Sequence, residues 1–559
     1  MDLGLNVMVP LPWLTPLEWL LGVVDFTIFL WVSIPIKPLS RWVRFLPTFG
    51  AVICLINVLG GDTSSLALGF YLVSLVLFVG TIRGLFKPEY SVPPGRNRIL
   101  RRILCSLGAG FLLFVALISG EIRYNPTSDL RSLSYSEAFE RMNERLAAEY
   151  PFSDHKKIDW MGLKNRFLPA FKKAENEKNK DLFYESLRGY LFSLRDGHVK
   201  ITNSNSAVRR KEIGGGFGIS TTLLDDGRVL VNLVLKDSPA DRQGIQVGAE
   251  IVVWDGQLTR DKLTSTSWTD TPVATTDDQR LEQGRFMARA PIGTEVLVEY
   301  RNPDATERRS ATLKAYDDNY ATIAKTKATL VEGENPLESR VLGNGLGYLR
   351  IKFFLSSDAF DLRERFEETL KSFQDNNIKG LIVDLRNNPG GDDDLVTAIA
   401  SHFVSEERLY EFVSYYNNTT KKFEINDSET RTISPSKLHY AGNIAILINN
   451  KTASSGEGLP LVLKGSPQVK IVGFTSTNGS FGVMTSPIKL NMPDGYVVQV
   501  PDGRSLDKNK EIQGDSDDTG RGGVAPDVRI PLNEKTFREK SINGQDVELE
   551  YAIAALNSM

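Results

Sequence analysis

Only two cysteines occur in the 559 residues, Cys54 and Cys105. Both lie in apolar stretches, so there is no disulfide framework and no thiolate metal site, and cysteine usage does not identify a compartment. Histidine is nearly as scarce: His155, His198, His402 and His439 are the whole set. No HExxH spacing occurs among them, and the sequence implies no metal and no other cofactor. An excess of positive charge is also lacking, with 66 Lys plus Arg against 69 Asp plus Glu. Nucleic acid is therefore not an expected partner, and the run Arg209, Arg210, Lys211 reads as a solvated turn.

Charge is missing altogether from two stretches of the first 120 residues, "SSLALGFYLVSLVLFVGTI" (64–82) and "ILCSLGAGFLLFVALISG" (103–120). Each approaches the ~20 apolar residues needed to cross a bilayer. Residues 13–34, despite Glu18 and Asp25, and residues 43–61 extend the expectation to four transmembrane helices within 1–124. Basic residues concentrate in the first and third connections (Lys37, Arg41, Arg44; Arg83 to Arg102), which would place both termini outside. The expected location is a multi-pass cell-membrane protein whose body after residue 124 is extracytoplasmic, with the lipid bilayer as a partner.

Beyond the apolar region, residues 125–200 read as a helical subdomain. Phe183, Leu187, Leu191 and Leu194 make one apolar face that stops at "RDGHV". Residues 212–320 open with "GGGFGIS" and read as short strands, with a hairpin signal at Asp226 and Gly227 and a short helix started by Ser238 and Pro239. From there to about 330 the sequence is strand-like and charged. Residues 335–535 alternate apolar strands with helices, the pattern of a sheet covered on both faces with parallel crossovers. A C-terminal segment, 536–559, follows. Ligands of such sheets bind at the carboxyl ends of the strands.

Two of those loops carry chemistry. In "NNKTASSGE" a serine at the start of a helix would have free N–H groups and the positive helix end beside it, suiting acyl transfer. Equally, Ser454 or Ser455 caps the helix and Glu457 completes a capping box. In "DLRNNPGGDDD", Gly390 and Gly391 permit a tight turn with unshielded N–H groups, as an oxyanion hole requires, or simply form a turn before a helix capped by Asp392 or Asp393. A nucleophilic serine needs a base. Of the four histidines, His198 in "RDGHV" is the best placed.

Taken together, "GGGFGIS" with "DSPADRQGIQVGAEIVVWDG", "GLGYLRIKFF" with "GLIVDLRNNPGG", and "ILINNKTASSGEG" resemble the C-terminal-processing (tail-specific) serine peptidases and their tricorn-type relatives. The resemblance covers about 134–531. It implies an α/β core of the ClpP/crotonase-like kind with an inserted PDZ-like domain. It also implies a serine endopeptidase acting on peptides or proteins recognised through their C-termini, with Gly216, Phe217 and Gly218 at the carboxylate. Registering on Glu457, the family pattern places the nucleophile at Ser454, with oxyanion donors from Ser455 and from Gly390 and Gly391. The lysine of the Ser/Lys members falls at Gly479, and no lysine lies between Lys470 and Lys489. The tricorn-like branch instead uses a histidine before the PDZ module, which His198 matches. Its acid, just before "GGVAPD", falls at Gly520; nearby Asp515, Asp517 and Asp518 are the candidates, and Asp518 is taken as the third member. The alternative function is a catalytically silent peptide-binding sensor with the same fold.

Overall fold

The computed structural model describes residues 128–203, 205–327, 334–357 and 360–559. Three helices come first: α1 (Tyr135–Glu149), α2 (Trp160–Asn176) and α3 (Lys180–Phe192). Each begins on a side chain that accepts a hydrogen bond from a first-turn N–H, namely Ser134, Asp159 and Asn179. Their apolar faces meet in one aromatic-rich cluster, where Phe139 stacks on Phe171 with ring centroids 4.2 Å apart. After α3 the chain turns through Asp196, Gly197 and His198 into the short strand β1 (Lys200–Ile201).

A β-rich unit follows, with β2 (Ile219–Leu223), β3 (Val229–Val234), β4 (Glu250–Trp254), the helix α4 (Thr276–Phe286), β5 (Glu295–Arg301) and β6 (Arg309–Lys314). The strands pair antiparallel in the order β2-β3-β4-β5-β6, leaving β2 at an edge. Gly227 turns the β2–β3 hairpin at φ 88°, and Ser238 caps the short helix Pro239–Arg242. Where the sequence reads as strand-like, α4 forms instead. Thr275 caps it and Asp277 and Asp278 occupy its first turn, where negative charge suits the helix dipole. It lies directly on the open edge of β2: Thr221 Oγ1 donates to Gly284 O at 2.9 Å, and Arg280 Nε donates to Leu223 O at 2.9 Å.

The largest unit is built on β7 (Leu337–Val341), β8 (Gly347–Ile351), β9 (Leu381–Asp384), β11 (Ile444–Leu447), β12 (Val469–Gly473) and β16 (Val528–Arg529), in the order β7-β8-β9-β11-β12-β16. Only β7 runs antiparallel to its neighbour. Side chains alternate between faces with the two-residue period of a strand. Leu381, Val383, Ile444 and Ile446 pack under α5 (Leu362–Asp375), α6 (Asp393–Ala400) and α7 (Ser455–Leu463). Ile382, Ala445, Leu447 and Val472 pack against α8 (Val547–Asn557), so the C-terminal segment closes the second face of the sheet. Outside the sheet, β10 (Arg408–Asn417) pairs with β15 (Gly503–Leu506), and β13 (Ile488–Asn491) and β14 (Val497–Val500) join β1 to the helical unit.

The expected fold class needs correction. Among the described residues no helix is long and apolar enough to cross a membrane. The longest, α2, has 17 residues and carries Lys164, Arg166, Lys172, Lys173 and Glu175, short of the ~20 apolar residues of a span. The segments assigned to four transmembrane helices lie outside the described residues, and the described fold is mixed α/β.

Candidate active site

Because β9 and β11 are parallel neighbours, the loops leaving their carboxyl ends lie side by side. Ala453 N donates to Asn388 O at 2.9 Å, and Asn387 and Asn449 exchange hydrogen bonds at 3.0 and 2.9 Å. These bonds bring the glycine turn against the serines: a Cβ on Gly390 would stand 2.7 Å from Ser454 Cβ and 2.9 Å from Ser455 N. With φ 104° there as well, only glycine fits.

Ser454 sits immediately before α7 at φ 54°, ψ −136°, backbone that a non-glycine residue adopts at a cost of about 1–3 kcal/mol. Bonds on both sides of the residue hold it there. Its N–H reaches Ser480 O at 2.9 Å and Glu457 Oε2 at 3.2 Å, and its C=O accepts from Glu457 N at 2.7 Å. The capping reading is thus realised in the backbone, and it fixes where the serine side chain starts.

The two glycines differ. Gly390 N donates to Asn388 Oδ1 at 2.8 Å and is engaged within its own loop. Residue 391 pairs in parallel with Phe354, which bonds the flanking Gly390 O and Asp392 N. The C=O of Gly391 therefore points away from Phe354, where it accepts from Ser455 Oγ at 3.0 Å, and its N–H lies on that same side. The N–H of Ser455, the first of α7, has no intrahelical acceptor.

Glu457 is fully buried and organises the far wall. It accepts from Thr477 Oγ1 (2.5 Å), Gly479 N (2.8 Å), Ser480 N (3.0 Å) and Ser454 N. Burial pushes its carboxyl up to about 7 against these four donors, which favour the anion. Ser480, which the sequence reading did not single out, links the two halves of the site. Its C=O takes the Ser454 N–H, and its Oγ accepts from Gly197 N at 3.0 Å, in the turn that carries His198.

His198 is 9% exposed, and its Nδ1 is buried without a hydrogen-bond partner. Asp196 Oδ1 accepts from His198 N at 2.8 Å and lies 3.9 Å from Nδ1. Burial lowers the imidazole below its ordinary value, against the pull of Asp196, so it is neutral and able to accept a proton at pH 7. Two of the other histidines are engaged elsewhere, and His439 has its Nδ1 buried without a partner. His402 Nδ1 meets Leu438 O at 2.6 Å under α5, and His155 Nε2 lies 3.4 Å from Asp515 O.

Asp518, expected to be the third member, lies on the surface, paired with Lys157 at 2.9 Å. In the β-rich unit, Gly216 N donates to Tyr316 O at 3.0 Å, while Phe217 is buried and Gly218, at φ 86°, comes so near Ser238 that a Cβ would lie 2.1 Å from it. Helix α4 ties that unit to the serine loop: Asp278 accepts from Asn450 Nδ2 and from Lys451 Nζ, both at 2.7 Å.

Position 479 carries no lysine. Gly479 has φ 78°, and a Cβ there would lie 2.6 Å from Thr275 Cγ2 and 3.3 Å from Gly523 N. Gly479→Lys is accordingly expected to leave a His198→Ala variant without hydrolysis. Recovery of casein turnover in that double variant would show that the turn can carry a lysine base.

Residues 345–530 match the description "Peptidase family S41". The "Carboxy-terminal processing protease CtpB" of Bacillus subtilis (strain 168) is 23% identical over 388 residues, 67% of this chain and 70% of that protein. "Carboxy-terminal processing protease CtpA" of the same organism is 22% identical over 368 residues, 65% of this chain and 66% of that protein. The crystal structure of mature CPAF shares the fold with a TM-score of 0.53 at 17% identity, covering 76% of this chain and 96% of that one. With its parallel sheet and serine-bearing helix at the matched positions, residues 345–530 are similar to peptidase family S41, the chain is similar to carboxy-terminal processing proteases, and it is a serine peptidase.

Proposed function

We propose that this peptidase hydrolyses peptide bonds in proteins or peptides by a serine–histidine acyl-enzyme mechanism. His198 takes the proton of Ser454 Oγ as the oxygen attacks the peptide carbonyl. The N–H groups of Gly391 and Ser455 hold the tetrahedral oxyanion. His198 then delivers its proton to the leaving amine, and water releases the acyl group by the reverse sequence. Gly390 shapes the turn rather than donating, since its N–H is spent on Asn388.

One observation carries the reading: the two-bond link from Ser454 N through Ser480 to Gly197 N, which fastens the histidine turn beside the serine. A fluorescent fluorophosphonate tests it. Labelling of the full chain is expected to disappear in both Ser454→Ala and His198→Ala, with each variant melting within a few degrees of the wild type. Undiminished labelling of folded His198→Ala would sink the serine–histidine assignment.

Residues 212–320 fit a PDZ-like recognition role within the same proposal. A substrate C-terminus would meet the backbone around Gly216, Phe217 and Gly218 and extend along β2 as an added strand. Helix α4 occupies that edge, so binding there requires it to separate from Thr221 and Leu223.

A further inference from the structure

The serine–histidine reading leaves His198 without an orienting acid once Asp518 is placed on the surface. The nearby acidic loop does not supply one. Asp517 is committed to its own turn, accepting from Thr519 N, Thr519 Oγ1 and Arg521 N. Asp515 is buried with both carboxylate oxygens unpartnered, beside Asp196, Lys156 and Glu457. Burial, reinforced by Asp196, holds it well above the usual carboxylate range, which favours its neutral form and weighs against it as counter-ion to an imidazolium.

Resting on that reading, we propose that Asp196, anchored by the Tyr150 hydroxyl, is the positioning residue that fixes the His198 imidazole with its proton on Nδ1 and stabilises its cationic form. Asp196 is 1% exposed, and its carboxylate is held by two hydrogen bonds beside the histidine. Oδ2 accepts from Tyr150 OH at 2.8 Å, and Oδ1 accepts from His198 N at 2.8 Å and stands 3.9 Å from His198 Nδ1, which is buried without a partner. A small rotation of the ring turns that separation into a hydrogen bond; such bonds are commonly long until substrate is bound. The charges facing this pair are few. Lys200 opposes the imidazolium, while Lys156, with Arg195 adjacent, offsets the buried carboxylates. Lys156 itself is not free to act as a base, since its ammonium donates to Ser516 O, Ser516 Oγ and Arg195 O at 2.7–3.0 Å.

The competing explanation is structural, because an Asp that accepts the N–H two residues on is also an ordinary turn former. Asp196→Asn separates the two. An asparagine oxygen still accepts the His198 N–H and keeps the turn, but it brings no charge to Nδ1. With the full chain, fluorophosphonate labelling and casein hydrolysis followed from pH 4.5 to 9 are expected to fall in Asp196→Asn by on the order of 10²–10⁴-fold at the plateau. The acid limb that reports His198 should move to lower pH, because the anion that favours imidazolium is gone. Tyr150→Phe keeps the carboxylate but frees it, so a smaller loss in the same direction is expected, while Asp518→Asn should match the wild type. Wild-type rate and pH profile in a folded Asp196→Asn, with His198→Ala inactive, would overturn the role of Asp196 alone. A His198→Ala variant that labels normally would instead remove the serine–histidine reading on which it rests.

Discussion

Ser454→Ala is expected to lower casein turnover by roughly 10⁶-fold while the protein stays folded, whereas Lys464→Ala should stay within about twofold of the wild type. The serine effect is large because the whole covalent route runs through one oxygen, and what remains is binding and oxyanion stabilisation acting on water attack. A methyl group in place of the hydroxymethyl leaves every backbone bond at the position intact, including those to Ser480 O and Glu457 N. Loss of activity therefore cannot be ascribed to a collapsed loop if the melting temperature is unchanged. Lys464 is the control because it lies just beyond the far end of α7, with its ammonium on Ala525 O and 3.3 Å from Asp527. A lysine base there would need α7 reversed. Substantial hydrolysis by purified Ser454→Ala would shift the nucleophile to Ser455, whose hydroxyl is now turned to Gly391 O.

The sheet and the serine loop are legible in the sequence because their determinants are local. The short apolar runs within 380–386, 443–450 and 469–474, alternating with helical segments, suit strands of a sheet covered on both faces, and they appear as β9, β11 and β12. Ser454, Glu457 and Gly390 fall in short motifs whose spacing fixes their register. What the sequence hides is set by contacts between distant segments. Nothing local marks Ser480, whose two bonds reach positions 454 and 197. Three acids close together in a polar loop look alike for the same reason, until burial separates Asp515 from Asp518 and an exposed Lys157 pairs with the latter. Asp196 could have been found from the Asp-x-His spacing, since an Asp accepts the N–H two residues on. Helix α4 is hidden in the sequence because the residues that seat it are polar or glycine. Arg280, Gln283 and Gly284 meet backbone oxygens or the strand itself, so no apolar period announces it.

Glu457→Gln carries the second large effect, and its direction follows from counting donors. Four donors converge on the carboxylate, two on each oxygen. An amide can satisfy only one such pair. The cheaper orientation leaves its oxygen with Thr477 and Gly479 and turns its NH2 toward Ser480 N and Ser454 N. Ser454 keeps Ser480 O as a second acceptor, so the donor left buried and opposed is Ser480 N, at a cost of about 1–3 kcal/mol. The melting temperature should fall by only a few degrees, because the loss is one bond in a large core. Activity should fall by about 10²-fold, because Ser480 is the residue through which the serine and the histidine turn are tied, and a displacement near 1 Å costs that much. The two effects also separate with pH. The neutral form of Glu457 favours the fold below the unfolded carboxyl value of about 4.3, and that contribution is lost as the pH rises through about 7. Glutamine is neutral throughout and has no such loss, so the difference in melting temperature between wild type and variant should narrow from pH 4 to pH 8 while the deficit in hydrolysis persists. Equal hydrolysis by the two proteins at pH 8 would mean that the position of Ser480 does not govern the site, and that Glu457 serves the fold alone.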